Sequence, residues 1–209
     1  MRRQLIKSTV VTTAGLAALA LLTLRWTGLH WGATTGEVDE TLPGDDVVPA
    51  AGFTATRAIT IDAPPERVWP WIAQIGQGRG GFYSYDWLEN LAGCRIHSAD
   101  QIAPQWQHPE AGDTVRMHPK VALTVDAIDP GHSLVLRAPA GEASSAEFSW
   151  AFVVRPRPGR TTRLLVRERY GWSGRSSALL MEPLLAASSI MSRAMLRGIK
   201  ERGERRAAA

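Results

Sequence analysis

The stretch EPLLAASSIMSRAMLRGIKERGERR, residues Glu182–Arg206, decides the fold because it predicts one long amphipathic helix near the end of the chain. Its apolar residues recur every three or four positions, which places them on a single face of a helix. This stripe consists of Leu184, Ala187, Met191, Met195 and Ile199. Pro183 suits the first turn of a helix, where its missing N–H costs nothing. Gly198 costs about 1 kcal/mol relative to alanine and suggests that a sheet or a ligand approaches the helix closely.

The sequence before this helix predicts an antiparallel sheet with two short helices inserted after its first strand. The predicted strands are Phe53–Asp62, Asp113–Met117, Ala122–Asp129, Ser133–Arg137, Glu147–Arg155 and Thr161–Tyr170. Short turn signals such as Asp129-Pro130-Gly131 separate the later strands, which favours a meander. The helices are predicted over Glu66–Ile75 and Tyr85–Leu91, and Pro70 predicts a kink or a late start in the first of them. A long helix lying across a curved sheet leaves a cavity wherever the sheet does not close beneath it.

The N-terminal residues Ser8–Leu24 form a run of seventeen uncharged, mostly apolar residues between Lys7 and Arg25. As a helix this run is about 25 Å long, slightly less than the roughly 30 Å hydrocarbon layer of a bilayer. Trp26 and Trp31 follow, where an interfacial aromatic belt would lie. We therefore interpret residues 1–31 as a membrane anchor and residues 8–24 as its transmembrane helix. A cleaved signal peptide or a buried soluble helix are the alternatives.

Charge asymmetry around this run predicts the topology. Arg2, Arg3 and Lys7 precede the run, whereas an acidic segment at residues 37–46 follows it. The positive-inside rule then places the N-terminus in the cytoplasm and the domain outside, as a single-pass membrane protein. Residues 32–52 are rich in glycine, proline and acids without periodicity, and we interpret them as a linker to the domain at residues 53–206.

Composition argues against several functions. The chain of 209 residues has a net charge of +4, but the excess of basic residues is mainly terminal and is not interleaved with aromatic residues. Nucleic-acid binding is therefore not expected. The single cysteine, Cys94, excludes an internal disulfide and a thiolate zinc cluster. The histidines show no metal-binding spacing, so we predict no metal and no cofactor. His97 or His108 could act as a general base, but solvated loop histidines are the favoured interpretation.

The last predicted strand places a charge on the face that turns toward the helix. Leu164, Val166, Glu168 and Tyr170 share one face, and the other face carries Arg163, Arg167 and Arg169, which we expect to be solvated. A buried glutamate needs a partner. We expect Arg137 to supply it, and the pair to orient the polar head of a ligand.

Other polar motifs are interpreted mainly as structural. Asp86 and Glu89 are neighbours on a predicted helix face and could form an acid pair, but capping or a salt bridge with Arg79 or Arg95 is favoured. The glycine-rich stretch at residues 76–81 follows a helix and lacks the lysine of a phosphate loop, so it predicts a hinge or a packing turn.

Large aromatic residues supply half of the candidate ligand pocket. We expect most of the six tryptophans in the domain to lie in the core and some to face the cavity, because an apolar pocket with few polar groups binds hydrophobic molecules. The candidate pocket residues are Trp69, Trp87, Trp106, Trp150, Arg137, Glu168, Met191 and Met195.

Six segments of the chain resemble the SRPBCC (START-like) superfamily, and more narrowly its small membrane-anchored actinobacterial-type members. They are VDETLPGDD (Val38–Asp46), ATRAITIDAPPERVWPW (Ala55–Trp71), GQGRGGFYSYDWLEN (Gly76–Asn90), IHSAD (Ile96–Asp100), RLLVRERYGW (Arg163–Trp172) and MLRGIKER (Met195–Arg202). The resemblance implies an α+β helix-grip fold. In this fold a bent antiparallel sheet wraps around a long C-terminal helix, and a cavity lies between the sheet and the helix. It carries over no catalytic motif.

The predicted function is binding or transport of a hydrophobic, lipid-like small molecule by a membrane-tethered domain. The resemblance implies this ligand class, and tethering would keep the domain where such a ligand partitions. Two alternatives stay open: a cyclase, dehydrase or hydrolase that uses an acid or base in the pocket, and a structural module whose cavity is filled by its own side chains. A non-catalytic role is favoured over an enzymatic one.

Overall fold

The structure is a computed structural model that describes residues 23, 25–138, 146–172 and 177–205. The predicted transmembrane helix, Ser8–Leu24, lies outside the described residues except for Thr23. Within the described ranges, no helix has the length and apolar character needed to cross a membrane.

From the first strand onward the described helices and strands follow the predicted order, whereas a short helix within the expected linker and a 3-10 turn were not predicted. The described elements are α1 (Thr35–Asp39), β1 (Phe53–Ile61), α2 (Pro65–Ala73), α3 (Asp86–Leu91), a 3-10 turn (Pro104–Trp106), β2 (Thr114–His118), β3 (Val121–Asp129), β4 (Ser133–Arg137), β5 (Ala146–Arg157), β6 (Thr161–Trp172) and α4 (Ser177–Glu204). Helix α2 begins at Pro65 and continues through Pro70 without a late start. Helix α4 begins at Ser177, so Pro183 lies inside the helix and not in its first turn as expected. The segment SALLM before it is itself rich in helix-favouring residues.

The six described strands form one antiparallel sheet in the order β1-β6-β5-β4-β3-β2. The meander β2 to β6 is therefore as predicted, and β1 completes the sheet beside β6. Register irregularities in β2 at Arg116/His118 and in β3 at Val125/Ala127 interrupt the ladder, and such bulges bend the strand that carries them. The architecture confirms the α+β helix-grip prediction: α4 lies on the inner face of a bulged antiparallel sheet.

The main core lies between the inner face of the sheet and helices α2 and α4. Alternate residues of β5 and β6 point into it, as the period of two requires. Fully buried members include Phe152, Leu164 and Val166 from the strands, with Leu196 and Ile199 from α4. The C-terminal turns of α4 are thus packed into the core, whereas its middle part, residues 184–195, borders the cavity described below.

The outer face of the sheet is covered by residues 33–49, which we call the N-terminal segment. Leu42 from this segment is buried against Ala58, Val153 and Leu165. Ion pairs attach the segment to the outer face, and the three shortest are Arg163 Nη2 to Glu37 Oε2 (2.7 Å), Arg167 Nη1 to Asp45 Oδ2 (2.6 Å) and Arg155 Nη1 to Glu40 Oε1 (2.8 Å). The expectation that the β6 arginines are solvated is therefore wrong, because the acidic segment interpreted as a linker lies directly over them.

Gly198 allows α4 to approach the loop at Tyr83, and not a sheet or a ligand as the sequence suggested. A Cβ atom at Gly198 would lie 2.0 Å from the Tyr83 carbonyl oxygen and 2.9 Å from the Tyr83 Cβ. Tyr83 has a positive φ of 57°, so this loop is already in a conformation that non-glycine residues adopt rarely. The Tyr83 hydroxyl also donates to the Trp71 carbonyl oxygen at 2.9 Å, which fixes the loop against α2.

We expect Gly198→Ala to destabilise the protein by about 1–3 kcal/mol through overpacking, although the same change in an open helix stabilises by about 1 kcal/mol. Gly203→Ala is the matched control on the same helix, because its Cβ would lie at ordinary contact distances, 3.4 Å from Val68 Cγ2, 3.5 Å from Ile61 Cγ2 and 3.8 Å from the Arg67 carbonyl oxygen. Chemical unfolding of both variants measures the difference. Equal stability of the two variants would show that the close approach at Tyr83 has no energetic consequence.

Candidate functional site

A cavity of about 340 Å³ lies between the inner face of the sheet, helix α3 and residues 184–195 of α4. Its lining is mainly apolar and aromatic, with two carboxyl groups. The lining residues are Phe82, Ser84, Glu89, Cys94, Met117, Phe148, Trp150, Glu168, Tyr170, Leu184, Ala187, Ser188, Met191, Ser192 and Met195. The predicted stripe of α4 supplies Leu184, Ala187, Met191 and Met195, so the amphipathic face read from the sequence forms one wall of the cavity.

Glu168 is held at this wall by donors from three elements. Arg57 Nη1 of β1 lies 2.9 Å from Glu168 Oε1, and both side chains are almost completely buried. Ser192 Oγ donates to the same oxygen at 2.6 Å, while Ser188 Oγ and the Tyr170 hydroxyl donate to Oε2. Ser188 and Ser192 are one helical turn apart on α4, which places both hydroxyls on the face above β6.

These donors set the charge of Glu168. Burial by itself raises the pKa of this carboxyl, but the Arg57 guanidinium and the hydroxyls of Ser188, Ser192 and Tyr170 together hold the pKa below its usual value. Burial and the negative charge of Glu168 raise the pKa of Tyr170, so its phenol stays protonated and donates. Glu168 is thus a buried carboxylate whose charge is balanced by Arg57.

Glu89 of α3 is the second carboxyl group of the cavity, and its environment is different. Burial raises its pKa, Asp86 raises it further, and a hydrogen bond from Ser84 Oγ to Oε1 opposes these effects. Burial and the nearby Glu89 also raise the pKa of the Cys94 thiol. This side of the cavity therefore favours neutral groups, whereas the side at Glu168 keeps a balanced ion pair.

Asp86 does not form a pocket acid pair with Glu89. Its carboxylate accepts hydrogen bonds from the Ser98 N–H at 2.7 Å and from Ser98 Oγ at 2.6 Å, and so ties α3 to the following loop. Instead of forming the expected salt bridge, Arg79 lies over the Trp106 ring at 4.8 Å and donates to the Ala73 carbonyl oxygen.

Four of the eight candidate pocket residues line this cavity: Trp150, Glu168, Met191 and Met195. The other aromatic candidates lie elsewhere. Trp69 borders a separate depression beside His108, Trp87 is 69% exposed, and Trp106 stacks against Arg79. Glu89 of α3 faces the cavity, and residues two positions apart on a helix point to nearly opposite sides. Trp87 therefore lies on the outer side of α3.

Arg137 is not the partner of Glu168, and this part of the sequence interpretation is wrong. Trp150 is the register partner of both Leu136 and Glu168, so these residues share the inner face of the sheet. Arg137 follows Leu136 and therefore points to the other face, where its Nε lies 2.7 Å from Asp126 Oδ1.

The sequence did contain a signal for Arg57, the true partner of Glu168. In the segment Phe53–Asp62, Arg57 occupies the apolar parity of the strand, between Ala55 and Ile59. An arginine in such a position needs an internal anion. Because the register of β1 against β6 was unknown, the sequence could not show that Glu168 lies diagonally across from it.

A helix that lies on a bulged antiparallel sheet, with a cavity between them, defines a helix-grip protein. A family model described as polyketide cyclase / dehydrase and lipid transport matches residues 52–204. The chain belongs to this family, which confirms the predicted superfamily. No curated protein matches the chain.

Solved structures that match the chain share little sequence with it. The aromatase/cyclase Zhui from Streptomyces sp. R1128 is 15% identical, with 75% of this chain and 96% of that chain covered and a TM-score of 0.44. Truncated norcoclaurine synthase from Thalictrum flavum is 11% identical, with 74% and 95% covered and a TM-score of 0.46. A protein from Mesorhizobium loti is 13% identical, with 72% and 96% covered and a TM-score of 0.44.

Proposed function

We propose that this protein binds or carries a hydrophobic, lipid-like small molecule in the cavity between the sheet and α4. The observation that carries the proposal is the cavity itself. Its volume of about 340 Å³ falls in the range of about 300–1,000 Å³ that is typical of small-molecule sites. Its lining combines aromatic and methionine side chains with few polar groups, which suits an apolar ligand. A structural module with a filled core would leave a much smaller space.

The second candidate function is catalysis of the cyclase or dehydrase kind. The observation that favours it is the pair of cavity carboxyls whose pKa values are shifted in opposite directions, upward for Glu89 and downward for Glu168. Such divergence is typical of acid–base sites. It is weaker support than the cavity, because Glu168 is fully engaged by Arg57 and three hydroxyls and is therefore a poor base.

Tethering of the domain to a membrane is part of the proposal. Residues 25–29 are helical and pack beside α4, where Arg193 Nη2 donates to the Thr27 carbonyl oxygen at 2.9 Å. Trp26, Leu184 and Ile190 are about half exposed, and Leu184 also lines the cavity. An anchor at residues 8–24 would hold this part of α4 near the bilayer, where a hydrophobic ligand partitions.

We further propose that the protein is a small membrane-anchored actinobacterial-type member of the superfamily. It crosses the membrane once, with its N-terminus in the cytoplasm and its domain outside the cytoplasm. A reporter fused to the C-terminus, tested for accessibility in intact cells, measures this topology. Protection of the reporter by the membrane would contradict it.

We expect the full-length chain, purified in lipid nanodiscs, to retain an apolar molecule that native mass spectrometry and solvent extraction detect. Ala187→Phe should lose this molecule because Ala187 lines the cavity. Ala186→Phe is the matched control, since the adjacent residue faces an outer groove of α4. An empty wild-type protein that also binds no added apolar molecule, or equal retention by all three chains, would contradict ligand binding in this cavity.

A further inference from the structure

The two carboxyl groups of the cavity differ in their capacity to contact a ligand. Glu168 accepts two hydrogen bonds at each oxygen, from Arg57 and Ser192 at Oε1 and from Tyr170 and Ser188 at Oε2. A carboxylate has about four acceptor positions, so this set of donors uses the whole capacity of Glu168. Its role is to neutralise Arg57 and to fix β6 against α4, and not to orient the polar head of a ligand.

Glu89 has the capacity that Glu168 lacks. Its Oε1 accepts a hydrogen bond from Ser84, but its Oε2 is buried and has no hydrogen-bond partner in the part of the chain that the structure describes. Trp150 Nε1, from another residue of the same cavity lining, is also buried without a partner there. Nine buried side-chain polar atoms of the described residues lack a hydrogen-bond partner, and these are the two that belong to the cavity lining. A buried polar group without a partner calls for a specific explanation, and a ligand in the cavity supplies one for both.

The charge of the lining restricts what these two groups could bind. The lining residues that the structure describes include two glutamates and no arginine or lysine. Arg57 lies behind Glu168, pairs with it, and also donates to the Gly28 carbonyl oxygen. An anionic head group in the cavity would therefore meet two carboxyl groups and no cation among the described lining residues, and would lose its hydration without compensation.

We propose that Glu89 and Trp150 form the polar subsite of this cavity, and that it takes an apolar ligand with an uncharged oxygen function, such as a ketone, an ester or an alcohol. The inference rests on the proposed function and names the chemical class of its ligand. Trp150 Nε1 has almost no surface exposed to the cavity, so a small rotation of the indole ring brings its N–H to the ligand oxygen. A rotation of the Glu89 carboxyl about its last bond presents Oε2, which donates when the group is protonated and accepts from an alcohol when it is not.

The environment of Glu89 supports the neutral form. Burial and the neighbouring Asp86 both raise its pKa, and the neutral carboxylic acid has a hydroxyl that donates to a carbonyl oxygen. Fatty acids and phosphate esters are excluded as ligands of this subsite, because their negative charge would face the two carboxyl groups of the lining. The subsite therefore discriminates by charge and hydrogen bonding, while the methionine and aromatic walls accept varied apolar shapes.

Three probes of equal chain length test the inference on the full-length protein in nanodiscs: undecanone, undecane and undecanoate. Displacement of a fluorescent apolar probe gives the affinities, and empty nanodiscs correct for partition into lipid. We expect the wild-type protein to bind undecanone about tenfold more tightly than undecane, and undecanoate most weakly. Glu89→Gln keeps a donor and should keep the preference within about threefold. Glu89→Leu and Trp150→Phe should each reduce it.

The outcomes separate this inference from the proposed function. If undecane and undecanone bind equally well, or undecanoate binds most tightly, the subsite assignment is wrong while ligand binding in the cavity stands. If none of the three probes binds, the proposed function and the subsite both fail. A preference for the ketone that survives in both Glu89→Leu and Trp150→Phe, each folded by circular dichroism, would place the polar contact elsewhere.

Discussion

Arg57→Leu is expected to destabilise the protein by about 3–5 kcal/mol, because it leaves the Glu168 carboxylate buried without its cation. Both side chains of this pair are almost inaccessible to solvent. Removal of one partner from a buried ion pair exposes the full desolvation cost of the other. The hydroxyls of Ser188, Ser192 and Tyr170 remain as donors, but they do not neutralise the charge. The Gly28 carbonyl oxygen also loses the hydrogen bond from Arg57 Nε.

Arg137→Leu is the matched control, since it also removes an arginine from an ion pair on the sheet. Its partner Asp126 and Arg137 itself are each about one-third exposed. Such partly solvated pairs contribute about 0–1 kcal/mol. Denaturant unfolding of both variants, in the same nanodiscs and followed by tryptophan fluorescence, measures the difference. Similar losses in the two variants would show that the Arg57–Glu168 pair is not the stabilising feature that its burial suggests.

A pH series adds a second check on the same variant. Without Arg57, the pKa of Glu168 loses the neighbouring cation that lowers it, and burial then favours the protonated acid. The difference in stability between wild type and Arg57→Leu should therefore shrink as the pH falls. A difference that stays constant with pH would attribute the loss to packing at Arg57 and not to the charge of Glu168.

Local periodicity made most of the fold predictable from the sequence. The predicted strand Ser133–Arg137 matches β4, and the stripe of α4 predicts both its core face and its cavity wall. The alternation in β6 also placed Glu168 on the inner face correctly. These inferences succeed because side-chain direction along one element depends only on position in that element.

Pairing across elements was not predictable, and the errors about the buried charges have this origin. Arg137 was chosen as the partner of Glu168 because the registers of the strands were unknown. The observed pairing places Arg137 on the outer face and brings Arg57 close to Glu168. The arginines of β6 were expected in solvent, because residues 33–49 have no periodicity that marks them as part of the fold. Their acidic residues match those arginines in charge, yet charge alone does not specify which surface a segment covers.

The Glu37 carboxylate of the N-terminal segment is expected to contribute up to about 3 kcal/mol to stability at neutral pH, and this contribution should be lost in acid. The hydrogen bonds from Arg163 are the main cause that lowers its pKa from 4.5 to about 2, and the capping interaction with Thr34 helps. At about 1.4 kcal/mol per pKa unit, this difference gives the expected contribution. Because the pKa is lower in the folded state, the contribution is complete above pH 4.5 and disappears as the pH falls toward 2.

Glu37→Gln isolates this contribution, because other depressed carboxyls such as Glu168 also destabilise the protein in acid. The variant should be less stable than wild type at neutral pH, and the difference should vanish between about pH 4.5 and 2. Glu201→Gln, at an exposed position of α4, controls for the loss of one negative charge. A wild-type advantage over Glu37→Gln that persists below pH 2 would mean that Glu37 stabilises the protein through the shape of its side chain. In that case the ion pairs would not be what holds the N-terminal segment on the outer face of the sheet.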